Sequence, residues 1–232
     1  MNRKNHEHTK LFLFDIDGTL LSVKKGFMHD LIERLLIKYE MSHIDISKQY
    51  FAGRTDRDIF SSILKMGRSP VDESFFQAFK KDYIQTLKRE LLPAYVRLID
   101  YVKEAIEYIA HQNFHYGLLT GNFRESAFIK LQNAGIDQFF NFGVFGTDHA
   151  DRNRLPAIAH KLAEQQLYIS LKPKDLIIIG DTPKDIDCAR QYGATSIAVA
   201  TGSYTREELS RYQPDYLFNN LSKPNKWLQI IN

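Results

Sequence analysis

The stretch LFLFDIDGTLLS, residues 11–22, decides the fold. Four apolar residues run into two aspartates, Asp15 and Asp17, followed by Gly18 and Thr19. A short, continuous apolar run of this kind reads as a strand buried on both faces of a parallel sheet. Carboxylates at the end of such a strand are costly to bury unless a cation holds them. The segment is therefore either a solvated surface turn or a strand end built for a metal.

Working outward, comparable apolar runs occur at HYGLL (115–119), FGVF (142–145), LIII (176–179) and SIAVA (196–200), most of them followed by turn residues. The segments 124–135 and 183–194 have helical periodicity and end near Gly135 and Gly193, where a left-handed cap is wanted. Strand and helix thus alternate, which predicts an α/β fold. Its core would be a Rossmann-like parallel sheet with helices on both faces and right-handed crossovers. Between Ser22 and Pro93 the pattern changes to three amphipathic helical stretches, 27–40, 55–67 and 74–91, with no convincing strand. This predicts a helical cap, residues 23–92, inserted into a core formed by 1–22 and 93–232. Pro93 precedes a further predicted helix over 97–113. An insertion that leaves directly after the first strand would hang over the carboxyl edge of the sheet, where ligands bind in such folds.

Composition narrows the partners. The 232 residues can form one large domain or a domain carrying a smaller insertion. A 44% hydrophobic and 25% charged composition is ordinary for a globular chain, and a net charge of +3 gives no argument for nucleic acid. Cys188, the single cysteine, excludes an internal disulfide framework and a cysteine metal cluster, which suits a reducing cytosol. The leader MNRKNHEHTK lacks the apolar core of a signal peptide, and no apolar run approaches a membrane span. The expectation is a cytoplasmic protein without membrane or nucleic-acid partners; the sequence fixes no oligomeric state. His6 and His8 read as part of a solvated tail.

Three strand ends carry polar groups. Asp15 and Asp17 follow the first strand, TGN (120–122) the second, and GDTPKD (180–185) the run LIII. Asp15, Asp17 and Asp181 offer the oxygen ligands that magnesium takes. Gly18 permits a tight turn whose amides can cradle an anion. Each motif alone is commonly a turn, but all three in this order, each after an apolar strand, are hard to obtain by chance.

These motifs resemble those of the haloacid dehalogenase-like hydrolase superfamily, in its phosphoglycolate phosphatase-like branch with an inserted helical cap. DIDGTL (15–20) is similar to the first motif of the family, Thr120 with Gly121 and Asn122 to the second, and GDTPKD to the fourth. The resemblance spans nearly the whole chain and implies a Mg2+-dependent phosphatase acting on a small phosphorylated metabolite, phosphoglycolate being the first candidate. It implies that Asp15 is the nucleophile and a metal ligand. Asp17 would be the general acid and base, with its side chain free for protons and its backbone carbonyl on the metal. Asp181 would complete the metal ligands and Asp185 would orient waters or the cationic residue. Thr120 would bind the transferring phosphate, with Gly18, Thr19, Gly121 and Asn122 around it.

The chain departs from the family at the third motif, where a lysine is usual. Here the segment 149–165 offers Arg152 and Arg154, of which Arg152 is favoured. Lys172 lies at the wrong end of the LIII strand, and Lys184 reads as a solvated helix residue. In the insertion, FAGRTDRDIF (51–60) resembles the cap loop of phosphoglycolate-type enzymes, so Arg54 is a candidate for a substrate carboxylate or second phosphate. Thr55 reads as a helix N-cap with Asp58 three residues on, and Phe75, Phe76 and Phe79 as the cap's own core. A sugar-phosphate mutase and a non-catalytic phosphate binder are the alternatives. Dehalogenase chemistry does not need Asp17 or the fourth-motif acids, and no lysine for imine-based phosphonate hydrolysis stands within 51–60.

Overall fold

The computed structural model describes residues 9–47, 49, 51–67 and 72–231; His6 and His8 lie outside them. In chain order the elements are β1 (Leu11–Phe14), β2 (Leu21–Val23), α1 (Phe27–Lys38), α2 (Asp56–Gly67), α3 (Glu73–Glu90), β3 (Val96–Leu98), α4 (Val102–His111), β4 (His115–Leu119), α5 (Arg124–Ala134) and β5 (Gly143–Val144). There follow α6 (Leu155–Gln166), β6 (Leu176–Gly180), α7 (Pro183–Tyr192), β7 (Thr195–Val199), α8 (Arg206–Ser210), β8 (Tyr216–Phe218) and α9 (Pro224–Ile231). Among the described residues the main sheet has the order β5-β4-β1-β6-β7-β8, and every pairing in it is parallel.

The period of two along a strand explains how β1 builds both layers. Phe12 and Phe14 join α4, α5 and α9 residues such as Ile106, Leu131 and Trp227 on one face. Leu11 and Leu13 join Leu155, Ala159 and Cys188 from α6 and α7 on the other. All four β1 side chains are completely buried, as an interior parallel strand requires. No helix of the described residues is long and apolar enough to cross a membrane.

The helices between β2 and β3 form a core of their own. Leu31 and Leu35 of α1, Phe60 and Ile63 of α2, and Phe76, Phe79 and Tyr83 of α3 pack together, with Phe123 and Ile129 entering from the sheet domain. The phenylalanines of the third stretch thus pack as expected. The helix expected over 97–113 is shorter. Val96–Leu98 instead pairs antiparallel with Leu21–Val23, and Tyr101 adopts a left-handed conformation (φ 67°) that stops α4 from extending toward its N-terminus. This small ribbon carries the chain into and out of the helical unit. Strand β8 and the helices α8 and α9 carry no strong sequence signal; β8 is a short, half-buried edge strand.

The helical core depends on Phe79, which is fully buried with ring centroids 5.2 Å from both Phe60 and Tyr39. Phe79→Ala is expected to cost about 3–5 kcal/mol of stability, read as a lowered denaturant midpoint.

Candidate active site

Parallel strands align their carboxyl ends, so β1, β4 and β6 deliver Asp15, Thr120 and Asp181 to one edge. The Asp15 amide continues the ladder with a hydrogen bond to the Ile179 carbonyl, 2.9 Å, which fixes its side chain at the seam between β1 and β6. Ligand oxygens of Asp15, Asp181 and Asp185 lie within 4.8 Å of one another, all buried. Burial raises the Asp15 pKa to about 6, with Asp185 and Asp17 adding to the effect and Arg152 and Thr120 opposing it. Asp181 is pushed well above the carboxylate range by burial and by Asp185 and Asp15.

Arg152 is the counter-charge. It is buried in the turn before α6 and pairs with Asp185 and, at 3.1 Å, with Asp15. It also donates to the Gly53 carbonyl at 3.3 Å. Burial opposes its charge, but Asp185 and Asp15 hold its pKa above the ordinary arginine value. Arg154 is exposed. Asp185 itself is held by α7: its second oxygen accepts from the Thr182 amide (3.0 Å) and hydroxyl (2.6 Å), a capping box at the helix start.

Three buried acids facing one guanidinium leave negative charge uncompensated, and every donor is a hard oxygen. That set fits a divalent cation of the magnesium or calcium type. Thr19 is drawn into this cluster, donating to Asp181 at 2.9 Å. Gly18 has a left-handed φ of 87°, and a Cβ at Gly18 or at Gly202 would overlap the Asp181 carboxylate.

Asp17 stands apart. Its side chain is 42% exposed and is not free: it accepts from Lys130 Nζ at 2.6 Å and from Asn122 Nδ2 at 2.7 Å. Lys130, 4% exposed, also donates to Asn122 Oδ1 at 2.6 Å. Asn122 in turn donates to the Thr120 hydroxyl at 2.9 Å. Lys130 is absent from the sequence expectations, yet its position carries a signal. It lies on the face of α5 that Phe123, Ala127, Leu131 and Ala134 define at helical spacing, where a lysine needs a buried partner.

The segment before α2 is clamped to the sheet edge. Asp56 accepts from the Phe123 amide (2.8 Å) and the Ser126 hydroxyl (3.0 Å), capping α5 from the helical unit. The Asp56 amide donates to the Gly121 carbonyl at 2.7 Å, and a Cβ at Gly121 would overlap the Arg54 carbonyl. Thr55 bonds to the Ala150 carbonyl and caps Asp58 N at 3.1 Å, as its sequence context predicts. Arg54 lines the cavity, but its guanidinium is engaged with Asp58 at 2.7 Å and Ser62 at 2.8 Å on its own helix.

This fold and this arrangement of acids are those of a phosphoryl-transfer-type hydrolase of the α/β class. The chain belongs to the haloacid dehalogenase-like hydrolase family, whose model matches residues 12–199. It is similar to the pyrophosphatase PpaX of Bacillus mycoides (strain KBAB4), with 25% identity over 95% of this chain and 97% of that one. Its fold is similar to that of a predicted phosphoglycolate phosphatase from Haemophilus somnus 129PT, with 21% identity, a TM-score of 0.69, and coverage of 97% and 100% of the two chains. It is also similar to a predicted phosphatase from Clostridium acetobutylicum, with 21% identity, a TM-score of 0.71, and coverage of 96% and 99%.

If the acid cluster is the cation site, Asp181→Asn should stabilise the metal-free protein by about 1–2 kcal/mol, roughly 2–8 °C in melting temperature. The same change should abolish the further rise that magnesium gives the unchanged protein. Thermal melts with and without magnesium read both effects.

Proposed function

We propose that the protein is a magnesium-dependent phosphatase that hydrolyses a small phosphomonoester through an aspartyl-phosphate on Asp15. The observation that carries this reading is the juxtaposition of two carboxylates in different surroundings: Asp15 buried against Arg152, and Asp17 half-exposed against Lys130. Residues 23–92 serve as the cap and the remainder as the core, in the cytoplasm, with a phosphorylated metabolite as partner. Phosphoglycolate is the phosphomonoester that a relative's name supplies; pyrophosphate, which another relative's name supplies, is an anhydride and is the comparison substrate.

Asp15 attacks phosphorus with one carboxylate oxygen, forming the O–P bond as the ester P–O bond breaks, and Asp17 gives its proton to the departing alkoxide. Water then attacks the aspartyl-phosphate, Asp17 takes the water proton, and the O–P bond to Asp15 breaks to release phosphate. Arg152 fixes Asp15 and Asp185, while Lys130 and Asn122 fix the direction in which the Asp17 carboxylate points. The Thr120 hydroxyl and the amides of Asp17 and Gly121 would serve the transferring oxygens, the Gly18 amide being held by the Leu21 carbonyl at 2.8 Å. Asp15 and Asp181, with the Asp17 backbone carbonyl and with Asp185 beside them, would hold the magnesium ion, which supplies charge neutralisation for the phosphoryl group.

Phosphate release from a panel of phosphomonoesters tests the reading. Asp15→Asn should abolish turnover while the protein still melts cooperatively; retained turnover overturns the nucleophile assignment. Arg152→Lys should lower kcat/KM at least 100-fold, because an ammonium cannot bridge Asp15 and Asp185 as a planar fork does, whereas Arg154→Ala should change it less than two-fold. The reverse order moves the phosphate-site cation to Arg154. Transfer of the phosphoryl group to a second substrate without phosphate release identifies a mutase instead.

A further inference from the structure

Beyond the acids the site opens into a cavity of about 450 Å³, within the range of pockets that enclose a complete small molecule. Its two ends differ in chemistry. The sheet edge supplies the acids and their cations, whereas the helical unit lines it with Met28, Ile32, Phe51, Ile59 and Phe60. His29 is stacked on Phe51, with centroids 4.4 Å apart and planes 18° from parallel. Among the described residues lining the cavity, both arginines and Lys130 are already committed, Lys24 and Lys25 are turned to solvent, and His29 is stacked on Phe51. Arg152 and Lys130 hold the acids, Arg54 holds Asp58, and Lys24 and Lys25 are exposed, with Lys24 lying 5.0 Å over the Tyr95 ring. Asp56 adds a carboxylate to the wall. A second phosphate or a carboxylate placed under the helices would meet apolar side chains and a like charge, and would lose its hydration without a partner.

Resting on the phosphatase reading, we infer that the leaving group seated under the helices is an uncharged, mainly apolar alcohol larger than glycolate. The substrate class is therefore an apolar phosphomonoester; an anionic leaving group such as that of pyrophosphate or phosphoglycolate is selected against. Burial of apolar carbon then contributes to specificity, and each added carbon that enters the cavity strengthens binding.

The test is phosphate release with magnesium from ethyl, butyl and hexyl phosphate, whose alcohols have nearly the same intrinsic reactivity, alongside phosphoglycolate and pyrophosphate. The kcat/KM is expected to rise about four-fold for each methylene buried, at least ten-fold from ethyl to butyl phosphate. Met28→Arg should flatten that series and raise the ratio of phosphoglycolate to butyl phosphate turnover about ten-fold. Turnover with no dependence on chain length, or with phosphoglycolate or pyrophosphate preferred by the unchanged protein, overturns the inference and leaves the phosphatase standing. No phosphate release from any ester, p-nitrophenyl phosphate included, overturns the phosphatase reading and the inference together.

Discussion

Three carboxylates confined within a few ångströms at the end of two adjacent parallel strands are the constraint on which the rest of the site depends. Charge of one sign in a buried setting is unstable by itself. The chain surrounds it with compensations drawn from remote parts of the sequence. Arg152 comes from the turn before α6, Thr182 begins α7, and Thr19 turns back from the loop after β1. These groups leave the cluster short of positive charge, a set that fits a hard divalent cation. The rigidity of β1 and β6, locked in register from Leu11 with Leu176 to Phe14 with Ile179, keeps the acids from relaxing apart.

The same constraint joins the helical unit to the sheet. Arg152, already bound to two acids, reaches the Gly53 carbonyl, so the main counter-charge touches the segment that leads into α2. Asp56 repeats the device in the opposite direction, leaving the helical unit to cap α5, whose first residues supply no side-chain cap of their own. Burial raises the Asp56 pKa, while Lys130 and the two hydrogen bonds to Phe123 and Ser126 counter that shift. Around Gly53 and Asp56 the seam is polar, while Phe123 and Ile129 carry it into the aromatic core of the helices.

The sheet and the order of its motifs were legible because interior parallel strands are continuously apolar, and LFLF and LIII are short runs bounded by turn residues. The acids were legible as violations of that pattern. Less could be read where pairing partners decide the outcome. Val96, Arg97 and Leu98 have helical neighbours in sequence, yet they form a strand because Leu21–Val23 lies beside them, a fact about space that no window of sequence contains. The fate of Arg54 and of Thr19 was similarly hidden, since each is a plausible phosphate ligand until the positions of Asp58, Ser62 and Asp181 are known. Lys130 was readable in principle as a charge on an apolar helix face. Its partners, however, lie 8 and 113 residues away.

Asp15 and Asp17 show why two cations are used. Residues i and i+2 at a strand end share a face, so Asp15 and Asp17 would stand side by side if the strand ran on. Here the strand ends at Phe14 and the chain bends at Ile16, so Asp15 remains in the sheet seam with Arg152 while Asp17 swings to the solvent side and meets Lys130. Arginine, planar and permanently charged, suits the buried position because it bridges two carboxylates at once. Lysine suits the half-exposed one because a single ammonium can hold Asp17 and Asn122 without removing the free oxygen from the cavity. Identical side chains are thereby given unequal surroundings, the means by which a fold sets one type of side chain to two different tasks.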